Sequence, residues 1–447
     1  MEQSTQSLKR TLTLWPVVLF GLAYMTPMVV FGIYGVLADE TGGVVANAYL
    51  VAMVAMLFTA YSYGQMVKAY PISGSAYTFT RKSINPHLGF MVGWAVILDY
   101  VFLPMVIWLI GSVYLNAAFP AIGTWVWILA FIIITTGINI IGIRVTTTIN
   151  FIMMLFQFLV IGLFIILSIV SLSHGEGMGT FFTATPFFNG DVSFPLVLAG
   201  ASIACYSFLG FDAVTTLSEE TIDPEKTLPR AIFLIALIGG AIFVIVSYFV
   251  YLVFPDHTQF ENYDTAGLEI ARFIGGNLFS AIFLAGLITA QFASGLSAQA
   301  SASRLLFAMG RDNVLPRKIF GFLHRSFRTP IVNIGIIGII GLIALFMNVS
   351  TSTSFINFGA FITFTFVNLS VIGHYFVRGK KRKGKDFILF LVLPLIGTAL
   401  NIWLFTNLDV HALTLGSIWA GIGFIYLLFL TKGFKKEPPE MKLEEAD

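Results

Sequence analysis

Tyr206-Ser-Phe-Leu-Gly-Phe-Asp212 lies in the middle of an apolar stretch that begins near residue 194, and its reading decides the fold. A glycine and a carboxylate interrupt a segment otherwise long enough to cross a bilayer as one helix. A second interruption, Gly21-Leu-Ala-Tyr-Met-Thr-Pro27, falls in the first apolar stretch of the chain. Gly and Pro in mid-span free backbone polar groups, which neighbours, water or a ligand must then satisfy. One such kink is common. Two of them, five spans apart and with an Asp at one, point to an inverted repeat with a binding site at the membrane midplane.

Composition agrees. Of 447 residues, 57% are apolar and 11% charged, where a soluble chain carries roughly 25% charged residues. The apolar residues form long runs, such as 89–115, 151–172 and 331–347. A helix needs ~20 residues to cross a ~30 Å hydrocarbon core. The runs do not alternate, which excludes a β-barrel. Twelve spans are expected, starting near residues 14, 44, 87, 122, 148, 194, 230, 275, 331, 353, 387 and 412.

Charge tests that count. With both termini cytoplasmic, every Lys and Arg except Arg272 falls on the inner side, as the positive-inside rule requires. The basic clusters at 311–328 and 378–385 are then topology determinants that face anionic lipid, and the net charge of +2 does not speak for nucleic acid. Cys205, the single cysteine, excludes an intrachain disulfide and reads as a packed small residue. No removable signal peptide is expected. The longest loops, 173–193, 255–275 and 310–330, are too short for a folded domain, and the charged tail 432–447 reads as disordered. Function therefore belongs to the bundle.

Two carboxylates lie deep in it. Asp99 falls roughly 18 Å along the third span, and Asp212 somewhat past the middle of the sixth. A charge at that depth costs at least ~2.5–3.5 kcal/mol, and neither Asp has a Lys or Arg in its own span or the neighbouring ones. A transported cation, a proton or both would supply the missing countercharge. The competing reading is a protonated Asp bonded to backbone at a helix break. Glu219 and Glu220 lie two turns further inward, where a solvated helix end is the better explanation of them than contact with substrate or proton.

Three segments name a family. They are Ser62-Tyr-Gly with Tyr70-Pro-Ile-Ser-Gly-Ser-Ala-Tyr77, then Phe208-Leu-Gly-Phe-Asp-Ala-Val with Ser218-Glu-Glu, Asp223-Pro and Leu228-Pro, then Ser303-Arg-Leu-Leu-Phe-Ala-Met-Gly-Arg-Asp-Asn-Val-Leu-Pro316. Together they resemble the amino acid–polyamine–organocation superfamily of secondary transporters. Within it, Leu98-Asp-Tyr-Val-Phe-Leu-Pro104, Lys82-Ser-Ile-Asn-Pro-His87 and Ile356-Asn-Phe-Gly359 are similar to bacterial putrescine importers. The resemblance implies an all-α membrane protein of twelve transmembrane helices in a LeuT-like five-plus-five inverted repeat, with helices 1 and 6 broken. Its parts would be a cytoplasmic N-terminus 1–13, a first repeat 14–172, a second repeat 194–377, two appended helices 387–431 and a cytoplasmic tail 432–447.

Two departures from the superfamily carry chemical information. Amino acid carriers bind the substrate carboxylate at a Gly-rich break in span 1, where this chain has Pro27-Met28-Val29. Proline has no N–H and side chains hinder backbone approach, so the anion nest is poor and a diamine is favoured. Some proton-coupled relatives place a Lys in span 5, and the matching Gln157 cannot titrate. Proton coupling then falls to Asp99, with Glu219 as a second candidate. The expected substrate-binding residues are Tyr24, Met25, Thr26, Trp94, Asp99, Tyr100, Tyr206, Phe208, Gly210 and Asp212.

The implied activity is import of a small cationic substrate, putrescine, across the plasma membrane by alternating access. No cofactor or metal is expected, and the oligomer would be a monomer or homodimer. A dication entering a cell gains ~2.3 kcal/mol per charge per 100 mV, so membrane potential and a proton gradient suffice without ATP. Ser294, Ser297 and Ser301 stand where sodium-driven relatives use hydroxyls, although as small residues they also pack between helices. The rival reading is a proton-coupled amino acid permease or exchanger of the same superfamily. An enzyme is disfavoured, since the six His residues fall at span ends or in loops and no hydrolase motif occurs.

Overall fold

A computed structural model describes residues 10–71, 75–141, 146–188, 192–218, 220–311, 313–324, 327 and 329–439. Among these the protein is all helical. Strand-type pairing among the described residues is confined to an isolated bridge between Leu12 and Thr221.

The first half of the chain forms α1 (Leu14–Met25), α2 (Val29–Gly32), α3 (Tyr34–Thr41), α4 (Val45–Ala69), α5 (Ser75–Ser83), α6 (Pro86–Ala118), α7 (Thr124–Ile141) and α8 (Thr146–Ser173). The second forms α9 (Phe194–Ala204), α10 (Pro224–Val253), α11 (Ala266–Arg311), α12 (Arg317–Phe320), α13 (Ile331–Gly341), α14 (Val349–Val371), α15 (Lys385–Phe387), α16 (Leu393–Phe405) and α17 (Val410–Leu430). Eleven segments among the described residues are long and apolar enough to cross a membrane. The run Ile331–Phe346 is apolar but shorter. Asn348 ends it by accepting from the Thr351 amide and starting α14 at once.

Helix starts follow from local chemistry. Asn85 caps α6 by accepting from the His87 amide, with Pro86 at the first helical position. Helix α11 begins before the expected span and bends at Gly276 (φ 62, ψ −160), beside the expected start. Only glycine takes that φ freely.

Regular α-helix ends within both the first and the sixth apolar stretches. Helix α1 stops at Met25, Thr26 takes a left-handed φ of 56, and α2 begins at Val29. Helix α9 stops at Ala204 and a 3₁₀ turn, Cys205–Phe208, follows. Gly210 then turns the chain at φ 103 before a second 3₁₀ turn, Ala213–Leu217. The inner half of this stretch is therefore not α-helical. The β-branched run Val214-Thr-Thr216 disfavours the wider helix there.

Helix α6 and the segment Phe194–Leu217 are the most enclosed spans. Helix α4 packs along α10, and α6 along both α11 and α14. Of the tail 432–447, expected to be disordered, residues 440–447 lie outside the described residues and 432–439 are ordered. Residues 432–439 turn back at Lys432, Gly433 and Phe434, all with positive φ, and dock on α5. Arg81 pairs with Glu437 at 3.6 Å and donates to the Pro438 carbonyl at 3.2 Å, while Phe434 packs on His87. A composition rich in charge predicts disorder only when no partner lies within reach.

Candidate functional site

The two interruptions meet around Gly210. A side chain at that position would collide with the Tyr24 ring, so glycine lets α1 lie against the turn. Tyr24 bonds Ser301 of α11, which ties the first break to a third element. This gives Ser301 a bonding role beyond packing.

Asp212 follows two residues after the turn and is buried. Its Oδ2 accepts from Tyr63 Oη of α4 at 3.1 Å, and the amides of Gly210 and Asp212 also face the carboxylate. Three aromatic rings, Phe79, Phe211 and Phe364, meet Tyr63 edge-on and fix its position. Asp212 is therefore well supplied with donors.

Asp99 is not. Its Oδ1 is shut off and has no hydrogen-bond partner among the described residues. The residue keeps partial accessibility, as do Tyr24 and Tyr100, although α6 is among the most enclosed helices. Asp99 lies within electrostatic range of Asp212, Tyr24, Tyr63 and Tyr206. Opposite it, Gly359 of α14 sits so close to the Ala95 carbonyl and Leu98 that a side chain could not fit. Pro104, inside α6, cannot donate to the Tyr100 carbonyl one turn back, which leaves an acceptor beside Asp99.

The turn at residues 205–213 is held from outside. Tyr49 bonds the Ser207 hydroxyl at 3.0 Å, and Asn357 Nδ2 donates to the Ser202 carbonyl at 2.7 Å. The carbonyls of Tyr206, Phe208 and Gly210 already accept backbone amides, so they are not idle acceptors. Phe208 is fully buried edge-on against Phe243.

Eight of the expected residues thus sit at or beside the breaks: Tyr24, Met25, Thr26, Asp99, Tyr100, Tyr206, Gly210 and Asp212. Phe208 packs behind the turn. Trp94 lies elsewhere: its Nε1 donates to the Trp419 carbonyl at 2.9 Å, and Trp419 donates back at 3.1 Å. The stacked pair, with centroids 5.0 Å apart, joins α6 to α17. Glu219 lies outside the described residues. Gln157 is buried with Oε1 unpartnered. Tyr63 is not among the expected residues, and Ser301, expected to pack or to offer a hydroxyl to an ion, lies against Tyr24. Tyr63 stands inside a quoted motif, but nothing in the sequence says which span it faces.

Two further contacts pack the segments that flank the breaks. After the first break, the turn Tyr263–Thr265 packs so tightly on Gly35 of α3 that no Cβ fits. Before α1, the amides of Thr11 and Leu12 donate to the Glu220 carbonyl at 2.9 and 3.0 Å, and the Ile222 amide donates to the Leu12 carbonyl at 2.9 Å. The charges of Glu220 and Arg304 attract one another across this contact.

Eleven helices long and apolar enough to cross a membrane, among the described residues, define a many-span membrane protein. The chain belongs to the amino acid permease family, whose model matches residues 16–429. It is 42% identical over 438 residues to a low-affinity putrescine importer of Escherichia coli K12, covering 98% of this chain and 97% of that protein. It is 27% identical to a methylthioribose transporter of Bacillus subtilis, covering 96% and 95% of the two chains. It is also 27% identical to human cationic amino acid transporter 4, covering 83% of this chain and 61% of the relative. The protein is a multi-pass secondary transporter of a small amine or amino acid within the amino acid–polyamine–organocation superfamily, and not an enzyme.

Proposed function

We propose that this protein imports a small aliphatic diamine, putrescine first, by alternating access driven by membrane potential and protons. The observation that carries the reading is the unpartnered Oδ1 of Asp99 beside the two breaks. A buried carboxylate without donors needs a proton or a cation to neutralise it. One ammonium would pair with Asp99 and the freed Tyr100 carbonyl. The other would face Asp212, which Tyr63 holds in place. Tyr24, Tyr100 and Tyr206 supply aromatic faces worth ~0.5–2 kcal/mol per ammonium. When no amine is bound, Asp99 would carry the coupled proton.

The break in span 1 supports an amine over an amino acid. Pro27 has no N–H, and the Val29 amide is spent on the Thr26 carbonyl at 2.8 Å. Little backbone remains to hold an α-carboxylate.

Packing supports twelve spans in a five-plus-five inverted repeat, with Ile331–Phe346 as the ninth. If helix n of the first repeat matches n + 5 of the second, contacts should occur in mated pairs. Helices α6 and α14 pack as α11 and α8 do; α4 and α9 pack as α10 and α1 do; α6 and α13 pack as α11 and α7 do. Each of these three contacts has its mate. Both termini then lie on the cytoplasmic face.

The reading is tested by uptake of labelled putrescine into proteoliposomes, with a pH gradient and a potential imposed separately. Either gradient should drive accumulation, and cadaverine should compete where lysine and ornithine do not. Inhibition by lysine at matched concentration would favour the amino acid permease instead.

A further inference from the structure

The inner ends of α5 and α14 bring four cations together. Arg378 donates through Nη1 to the Lys82 carbonyl and through Nη2 to the Ile84 carbonyl at 3.1 Å. Lys381 Nζ lies 5.2 Å from the Tyr375 centroid and 5.3 Å from that of Phe390, two rings stacked 4.4 Å apart. Arg382 sits 5.2 Å over the Phe376 ring and donates to the Phe376 carbonyl at 3.0 Å. Lys82 Nζ lies 5.7 Å from the Tyr70 ring. These seats fix the cations, which topology alone does not demand: the positive-inside rule counts charges and ignores their orientation.

None of the four has an ion pair among the described residues. The stretch 378–386 carries Arg378, Lys380, Lys381, Arg382, Lys383 and Lys385 against Asp386 alone. The local backbone is irregular as well, with π-helical turns at Ile372–Arg378 and Ile388–Val392. Such bulges are frequent at functional sites. Directly beside the cations lie exposed apolar side chains: Val377, Phe387 and Ile388.

We propose that this rim is a binding site for one anionic phospholipid of the inner leaflet. The headgroup phosphate would sit among Lys82, Arg378, Lys381 and Arg382, and an acyl chain would lie along Val377, Phe387 and Ile388. The apolar strip favours a lipid over a soluble phosphate or an acidic peptide, since neither of those has a chain to cover it. Bidentate guanidinium contacts suit the phosphate. Because Lys82 ends α5 while Arg378 and Lys381 follow α14, the lipid would bridge two elements that flank the inner mouth.

Native mass spectrometry tests this on full-length protein purified from nanodiscs of phosphatidylcholine with and without phosphatidylglycerol. The wild type should retain one phosphatidylglycerol in preference to phosphatidylcholine. Replacing both seated cations, Lys381→Gln with Arg382→Gln, should weaken retention by about 30-fold. Replacing two unseated neighbours, Lys380→Gln with Lys383→Gln, should weaken it far less while removing the same charge. Equal retention of the two lipids, or equal losses in the two double variants, would overturn the site in favour of diffuse attraction. Putrescine uptake does not enter this readout, so its outcome is separate from that of the transport reading.

Discussion

Tyr63 of α4 donates its hydroxyl to Asp212 Oδ2 at 3.1 Å, joining an unbroken helix to the interrupted one. Hydrogen bonds to buried charged groups contribute about 1.5–3 kcal/mol. Tyr63→Phe keeps the ring packing against Phe79, Phe211 and Phe364 and removes only this donor. Putrescine uptake at limiting substrate should fall at least tenfold, with membrane insertion unchanged. Tyr49→Phe, which loses a neutral bond to Ser207, should fall less. Initial rates in proteoliposomes compare the two.

The turn at Gly210 tolerates no side chain. Its φ of 103 is unfavourable for any L-residue, and a Cβ would strike Tyr24. Gly210→Ala should abolish uptake. Thr26 is the opposite case, a β-branched residue held at φ 56, where left-handed backbone costs roughly 1–2 kcal/mol. Thr26→Gly should leave melting temperature level or higher. A clear drop would mean that the Thr26 side chain holds the break.

The docked tail offers a test at the inner face. Glu437→Gln removes the partner of Arg81, while the carbonyl contact from Pro438 stays. Exposed ion pairs contribute about 0–1 kcal/mol, so melting temperature should hardly change. Protection of α5 from hydrogen exchange should fall, and it should fall further when residues 432–447 are deleted. Unchanged exchange in both variants would count against docking.

Glu40, at the outer end of α3, has its carboxyl pushed up by burial, then by the charges of Asp39 and Asp409. A raised folded-state value means that the folded protein binds more protons, so stability falls as pH rises through that range. Glu40→Gln should therefore raise the melting temperature at neutral pH. The gain should be small, under about 1 kcal/mol for a half-exposed group. It should vanish below the ordinary glutamate range. Thermal unfolding at several pH values checks the sign.

The all-helical, many-span character was legible because hydropathy acts locally; eleven of the twelve expected spans are long and apolar enough among the described residues, and Ile331–Phe346 is shorter. Facing direction was not. Trp94 stands near Asp99 in sequence, yet it turns to Trp419, because α6 is apolar all round and gives no stripe to orient it. The donor to Asp212 comes from a span 149 residues away, and no local pattern announces such a partner. The tail contact with Arg81 was hidden for the same reason.

The central claim is that Asp99 is the countercharge for the transported amine. Equilibrium binding of labelled putrescine to Asp99→Asn protein in nanodiscs, beside wild type and Asp99→Glu, tests it most directly. The account predicts no saturable binding to the Asn variant, partial binding to the Glu variant and normal folding of both. Near-normal affinity in Asp99→Asn would contradict it.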